Sequence, residues 1–292
     1  MHGVHEIAGS SPASPTMINE NRLVAHAWIF DVDGVLTHPS EKKVTKQELF
    51  FQLIKRLEAG EPVILNSGRA VDFMLKNILD PVERLVEDKK FLKNLFAVGE
   101  KGAVSVLYND NKERTEYIDR SIIVPQELQN EARKLVEEKF SDIAFYDLTK
   151  KTMISIEMHD GLSVDEFRKR QGELGKKLSE LLEQHGLTAK YRVELTRIAI
   201  DVENKHVGKG LGVQRALQWL SEQKIKPEKF IAFGDSPSDA AMAAELQERG
   251  LPVEFVFVGE KDLLADQKFD FHITYTKGQC EEGTVEYLKG LE

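Results

Sequence analysis

The sequence predicts an α/β fold in which a parallel sheet is interrupted by an inserted α+β domain. Two mostly apolar runs, residues 24–30 and 63–65, end in polar residues and lack clean alternation. Such runs are typical of strands buried on both faces of a parallel sheet. In the middle of the chain the strand candidates do alternate, which indicates a second sheet with one solvated face.

The first strand–helix–strand unit is indicated by the signals between these two runs. Thr45 is expected to cap a helix, with Glu48 as its capping-box partner, and an apolar face continues to Leu57. Gly60 marks the end of this helix. Polar residues at the exit of each strand suit a parallel sheet, where ligands bind beyond the carboxyl ends of the strands.

The same order returns late in the chain. The pattern predicts a helix over 209–223, a buried strand over 230–233, a helix over 239–248 and a strand over 253–258. These elements extend the parallel sheet that the first strands begin.

The middle of the chain has a different pattern. Strand candidates at 153–158 and 191–195 alternate, and a charged helix over 164–185 separates them. We therefore expect a flexible N-terminal tail over residues 1–24, a discontinuous core over 25–121 and 204–292, and an inserted domain over 122–203.

Composition excludes several classes of protein. The 40 Lys and Arg residues against 49 Asp and Glu residues give a net charge of −9 at pH 7, which argues against nucleic acid or an anionic membrane as the main partner. No run approaches the roughly 20 apolar residues of a membrane-spanning helix, and the N-terminal residues do not resemble a secretory signal. Cys280 is the only cysteine, which excludes an intrachain disulfide and suits a reducing cytoplasm.

Asp31 and Asp33 follow the first buried strand directly, with Gly34 behind them. Two carboxylates at this spacing on a turn can point into one crevice, where one attacks and the other transfers protons. The alternative is an ordinary strand-ending turn, because Asp and Gly are common turn residues.

Ser67, Gly68 and Arg69 follow the second strand. A hydroxyl and exposed backbone N–H groups at this place can hold a phosphoryl oxygen, and Arg69 can reach an anionic substrate. A plain helix cap and an exposed arginine are the alternatives.

Lys209 lies between two glycines at the start of a predicted helix. From there its ammonium can extend toward a phosphate as a point charge. Lys205 competes for this role, and a solvated surface lysine is the alternative for either residue.

Asp235 and Asp239 follow the late buried strand. Together with Asp31 and one backbone carbonyl, Asp235 would suit Mg²⁺, which prefers oxygen ligands. The alternative is a turn in which Asp239 caps the next helix.

In combination, these four motifs resemble those of the haloacid dehalogenase (HAD) superfamily, in the same order and at the same strand ends. The resemblance covers about residues 26–290, and residues 122–203 match the position of the family's C2-type cap. Residues 96–104 are similar to a Glu-Asn-Gly-Ala segment of capped sugar phosphatases, with Lys101 in place of the asparagine. The similarity is strongest to enzymes of sucrose phosphate, trehalose phosphate and phosphomannose. It implies a Rossmann-like core.

The resemblance also implies roles for the site residues. Asp31 would be the nucleophile that forms an aspartyl-phosphate, and Asp33 would protonate the leaving alcohol and then deprotonate water. Mg²⁺ would be bound by the carboxylates of Asp31 and Asp235 and by the main-chain carbonyl of Asp33. The phosphoryl oxygens would be bound by Ser67 and Lys209, and the supporting residues would be Gly68, Arg69 and Asp239.

The expected function is therefore Mg²⁺-dependent removal of phosphate from a small phosphorylated metabolite, with a sugar phosphate as the first candidate. The presence of Asp33 favours phosphoryl transfer over halide displacement. A phosphomutase of the same superfamily, or a catalytically silent binding protein that kept the fold, are the alternatives.

Overall fold

The computed structural model describes residues 21–291. Its strands are β1 (Arg22–Phe30), β2 (Val63–Asn66), β3 (Leu95–Gly99), β4 (Val104–Tyr108), β5 (Arg114–Ile118), β6 (Ala144–Tyr146), β7 (Ile154–Met158), β8 (Tyr191–Leu195), β9 (Ala199–Asn204), β10 (Ile225–Gly234), β11 (Val253–Phe257) and β12 (His272–Tyr275). Its α-helices are α1 (Gln47–Glu58), α2 (Val71–Met74), α3 (Asp80–Leu85), α4 (Gln126–Lys139), α5 (Val164–Gln184), α6 (Lys209–Glu222), α7 (Ala240–Glu248) and α8 (Cys280–Lys289). A π-helical turn, Leu75–Leu79, joins α2 to α3.

The large sheet has eight strands in the order β12-β11-β10-β1-β2-β3-β4-β5. The first six strands in this order are parallel, and the β4–β5 hairpin adds an antiparallel edge. Apolar side chains of α1, α3 and α8 pack with one face of the sheet, and those of α6 and α7 pack with the other. Since helices cover both faces, the buried segments 27–30, 63–65 and 230–233 of the central strands are apolar on both faces, as predicted.

The second sheet has four antiparallel strands in the order β6-β7-β9-β8. Helices α4 and α5 bury their apolar faces against it in a separate hydrophobic cluster, which includes Phe140, Ile154, Phe167 and Ile200. We call residues 126–204, from α4 to β9 with the loops between them, the small-sheet unit. The predicted fold class, a parallel-sheet α/β core with an inserted α+β portion, is confirmed.

The N-terminal end of β1 differs from the prediction. Residues 22–24, assigned above to a tail, form part of β1, and Arg22 lies opposite Ile225 of β10. The Arg22 guanidinium also donates to the Gly60 carbonyl (2.7 Å) and to Asn94 Oδ1 (2.8 Å). The exposed ends of β1 and β10 pair with each other but carry polar residues, so a search for apolar runs misses them. Residues 1–20 of the predicted tail lie outside the described residues.

The predicted cap of α1 is also corrected. Lys46 precedes the helix, and Thr45 turns its backbone N–H and its hydroxyl to Glu281 of α8, at 2.7 and 2.8 Å. Glu281 is buried, so these hydrogen bonds satisfy a carboxylate that water does not reach. A contact between residues so distant in sequence leaves no local signal.

Within residues 21–291, none of the helices has the length and apolar character needed to cross a membrane.

Phe233 in β10 is central to the packing of the large sheet. It is fully buried, stacks on Phe30 with ring centroids 4.6 Å apart, and meets Tyr287 edge-on at 5.3 Å. We expect Phe233→Ala to lower the free energy of unfolding by about 3–5 kcal/mol, because it leaves a cavity at the centre of the sheet. Urea denaturation followed by circular dichroism measures the change.

The control for this substitution is Tyr117→Ala, at a side chain that is 68% exposed. We expect it to change the free energy of unfolding by no more than about 0.5 kcal/mol. Equal unfolding midpoints for the two variants would contradict this account of the core.

Candidate active site

Three adjacent strands place the predicted site residues at one edge of the large sheet. β10, β1 and β2 are neighbours and parallel, so their carboxyl ends lie together. Asp31 follows β1, Ser67 follows β2, and Asp235 follows β10. Gly34 permits the close approach of the first and third loops: its φ is +70°, and a Cβ at this position would lie 2.0 Å from Asp235 Oδ2.

The ammonium group of Lys209 lies at the centre of this site. Its Nζ forms an ion pair with Asp31 Oδ1, lies 2.8 Å from Asp239 Oδ1, and donates to the Asn66 carbonyl at 2.9 Å. Burial alone would lower the pKa of Lys209, but the carboxylates of Asp239 and Asp31 raise it above its ordinary value. These carboxylates therefore favour the charged form of Lys209, whose side chain is 13% exposed.

The carboxylates around Lys209 outnumber it. Asp31, Asp235 and Asp239 each offer an oxygen, and these oxygens lie within 4.8 Å of one another. Burial and the negative charge of Asp239 raise the pKa of Asp31 well above its ordinary value and raise that of Asp235 to about 7. The three carboxylates lie close together, and their ionised forms are unfavourable. A divalent cation such as Mg²⁺ fits these oxygen ligands, because it would stabilise the ionised carboxylates.

Asp239 is held in place by its own turn. Its Oδ2 accepts hydrogen bonds from the Ser236 backbone N–H (3.0 Å) and from the Ser236 hydroxyl (2.7 Å), while Oδ1 faces Lys209. The alternative interpretation is correct for the position alone: Asp239 is the N-cap residue of α7, but its side chain makes no capping hydrogen bond.

Asp33 is paired with Arg69. The guanidinium donates to both carboxylate oxygens, from Nε at 2.7 Å and from Nη2 at 3.0 Å, and it lies 4.8 Å from the centre of the Phe73 ring. This fork geometry fixes the orientation of the Asp33 carboxylate. Arg69 is thus part of the site rather than the exposed arginine of the alternative interpretation.

Ser67 and Gly68 form the loop after β2. Ser67 is buried, and its Oγ accepts a hydrogen bond from the Arg69 backbone N–H at 3.2 Å, which leaves its hydroxyl proton available. The Gly68 carbonyl accepts from Lys150 of the small-sheet unit at 2.6 Å.

Of the two competing lysines, Lys209 reaches the carboxylates. Lys205 is exposed; its backbone N–H donates to the Lys190 carbonyl, and its carbonyl accepts from the Arg192 guanidinium. The first residue of α6 is Lys209, so its side chain begins at the loop that faces Asp31.

Sequence analysis missed several residues that support this site. Asn66 binds Lys209 twice: its carbonyl accepts from Nζ, and its Nδ2 donates to the Lys209 carbonyl at 2.9 Å. Its place at the end of β2 was a usable signal. Lys150 and Glu157 of the small-sheet unit carry no such signal, because only the tertiary fold brings them to the loop after β2.

A cleft of about 610 Å³ adjoins this site. It lies between Arg69 and Phe73 on one side and Phe145, Lys150 and Glu157 on the other. Burial raises the pKa of Glu157, and the nearby Arg69 opposes this effect. The cleft contains both charged and aromatic side chains, and its volume is that of a small-molecule site.

Comparisons with known proteins agree with this geometry. The haloacid dehalogenase-like hydrolase family matches residues 106–248, which contain Lys209, Asp235 and Asp239. No curated protein matches the chain by sequence.

Solved structures match over nearly the whole chain. A haloacid dehalogenase-like hydrolase from Bacteroides thetaiotaomicron is 16% identical with a TM-score of 0.61, covering 94% of this chain and 100% of its own. The C-terminal domain of trehalose-6-phosphate phosphatase from C. albicans is 18% identical with a TM-score of 0.58, covering 92% and 93%. The sucrose-phosphatase of Synechocystis is 15% identical with a TM-score of 0.52, covering 93% and 98%.

These neighbours share the fold of this chain, and the family match includes the lysine and two of the aspartates of the site. Residues 106–248, just under half of the chain, thus match the haloacid dehalogenase-like hydrolases.

Proposed function

We propose that the protein is a Mg²⁺-dependent phosphatase that removes phosphate from a small phosphorylated metabolite through an aspartyl-phosphate intermediate. The observation that carries this proposal is the cluster of Asp31, Lys209, Asp235 and Asp239 beside the Asp33–Arg69 pair, in which Asp31 and Asp239 are buried. Phosphoryl transfer depends on positioning and on neutralising charge around the phosphorus, and this group supplies both.

Asp31 is the proposed nucleophile. Its carboxylate oxygen attacks phosphorus, the bond from phosphorus to the substrate oxygen breaks, and the phosphoryl group is transferred to Asp31. Lys209 neutralises the transferred oxygens from one side, and the Ser67 hydroxyl donates to another of them. A bound Mg²⁺ would be held by Asp31, Asp235 and the Asp33 main-chain carbonyl, and would neutralise charge on the phosphate.

Asp33 is the proposed general acid and base. It donates a proton to the leaving alcohol and then accepts one from the water that hydrolyses the aspartyl-phosphate. Arg69 holds the carboxylate in one orientation through both of its oxygens. Gly68 lets the loop after β2 bend beside these groups, and Asp239 orients Lys209.

The substrate is proposed to be a sugar phosphate. The cleft beside Arg69 has room for a small polar leaving group, and two structural neighbours are named for trehalose-6-phosphate and for sucrose phosphate. In this proposal the predicted inserted domain, residues 122–203, acts as a cap that covers the cleft during the reaction. We assign the reaction to the cytoplasm, with no nucleic acid or membrane as partner.

The direct test is a panel of sugar phosphates and nucleoside monophosphates incubated with Mg²⁺ and assayed for free phosphate. We expect release from at least one sugar phosphate, and loss of that release to background in Asp31→Asn, because an amide is a poor nucleophile. The matched control is Asp110→Asn, at an exposed aspartate, which should retain wild-type turnover. Isomerised product without free phosphate would instead identify a phosphomutase.

Metal binding is tested without turnover, by thermal unfolding with and without Mg²⁺. Because burial raises the pKa of Asp235 to about 7, protons compete with the metal below that pH. Mg²⁺ should therefore raise Tm more at pH 8 than at pH 5.5. Asp235→Asn should remove most of the increase, whereas an equal increase in Tm at both pH values would count against the assignment.

The role of Asp33 is tested by the choice of leaving group. We expect Asp33→Asn to slow the release of a sugar alcohol by about 10²–10⁴-fold, the range for loss of a general acid and base. In single-turnover experiments, transfer from p-nitrophenyl phosphate should fall much less, since its leaving group needs no proton. Equal losses for the two substrates would exclude Asp33 as the acid.

A further inference from the structure

Two consecutive residues between β3 and β4, Glu100 and Lys101, have left-handed backbone conformations, with φ of +49° and +57°. This conformation is unfavourable for residues with long side chains, so surrounding contacts must stabilise it. In both residues the side chain is bound by the small-sheet unit.

The Lys101 side chain enters a buried cluster of carboxylates. Its Nζ lies 2.5 Å from Glu203 Oε2, 3.0 Å from Asp201 Oδ2 and 3.9 Å from Glu194 Oε2. Asp201 and Glu203 belong to β9 and are both buried. Arg192 also pairs with Glu203 at 2.7 Å, and the Ser155 hydroxyl donates to Asp201 at 2.7 Å. Loss of Lys101 would therefore remove one of two partners from each buried carboxylate, which is costly in a buried position.

Glu100 binds the other part of the small-sheet unit. Its carboxylate accepts hydrogen bonds from the Lys151 backbone N–H (2.9 Å), the Thr152 backbone N–H (2.8 Å) and the Thr152 hydroxyl (2.6 Å). The two adjacent side chains therefore hold the unit at two separate places.

The Lys101 backbone, in contrast, connects the two loops that bind phosphate in the proposed mechanism. Its N–H donates to the Ser67 carbonyl at 3.1 Å, and its carbonyl accepts from the Gly208 N–H at 2.7 Å. Gly208 directly precedes Lys209. One residue thus joins β9, the Ser67 loop and the start of α6.

We propose that Lys101 is a positioning residue that couples the place of the small-sheet unit to the alignment of Ser67 and Lys209. The ion pairs to Asp201 and Glu203 hold Lys101 in its left-handed conformation, and that conformation directs its N–H and carbonyl to the two loops. The effect on turnover rests on the proposed phosphatase function, whereas the effect on the loops does not.

The test compares Lys101→Met, Lys101→Arg and Lys151→Met. Lys151 is a matched control, because it also joins the small-sheet unit to the core, through Glu116 (2.7 Å) and Asp72 (3.5 Å), without contacting either loop. The exchange rates of the Lys101 and Gly208 amide hydrogens measure how firmly the two loops are held. The values of kcat and KM with p-nitrophenyl phosphate and Mg²⁺ measure the effect on the reaction.

We expect Lys101→Met to speed exchange of both amides by about tenfold or more, and to lower kcat by about 10–100-fold with a smaller change in KM. Lys101→Arg should restore most of both quantities, and Lys151→Met should leave both near wild type. Unchanged exchange and kcat in Lys101→Met would overturn the proposal. Equal losses of kcat in Lys101→Met and Lys151→Met without faster exchange would also overturn it, because they would indicate a tether alone.

If Lys101→Met does not fold, the double variant Lys101→Met/Glu203→Gln replaces it in the test. This variant removes one positive and one negative charge, so it leaves the net charge of the cluster unchanged. Low kcat in a folded double variant supports positioning, and wild-type kcat and exchange overturn it. Absence of phosphatase activity in the wild-type protein would refute the proposed function alone, because the exchange comparison still decides whether Lys101 orders the two loops.

Discussion

The site depends on one buried cation, the ammonium of Lys209, which lies among more carboxylates than it can neutralise. Asp31 and Asp239 both contact it, and Asp235 lies beside them. Buried like charges repel strongly, so this arrangement is stable only with protons, a metal ion or both. The raised pKa values of Asp31 and Asp235 are the direct consequence. The divalent cation of the proposed function would offset this excess of carboxylates.

The parallel sheet makes that crowding possible. Because β10, β1 and β2 are adjacent and parallel, three short loops deliver their side chains to one edge, and α6 begins at the same place with Lys209. The chain's net charge of −9 does not exclude the binding of phosphate, because cations at the site determine the local electrostatic field. Part of that acidity lies within the proposed catalytic group itself.

The sequence was sufficient to predict the parallel core, the alternating middle portion and the positions of Asp31, Asp33, Ser67, Lys209, Asp235 and Asp239, because strand ends and their polar residues are local patterns. It was not sufficient where function depends on distant partners. Arg69 was predicted to reach an anionic substrate, but its pairing with Asp33, 36 positions away, was not predicted. The partners of Lys101 lie about 100 positions away in β9. Such pairings arise from the tertiary fold, which periodicity and spacing do not report.

The central claim is that Asp31 receives the phosphoryl group. The most direct measurement is acid quenching of the enzyme during turnover of p-nitrophenyl phosphate with Mg²⁺, in the Asp33→Asn background that slows hydrolysis, followed by peptide mass spectrometry. The account predicts one added phosphoryl group on Asp31. Phosphate release with an unmodified Asp31, or a phosphoryl group on another residue, would contradict it.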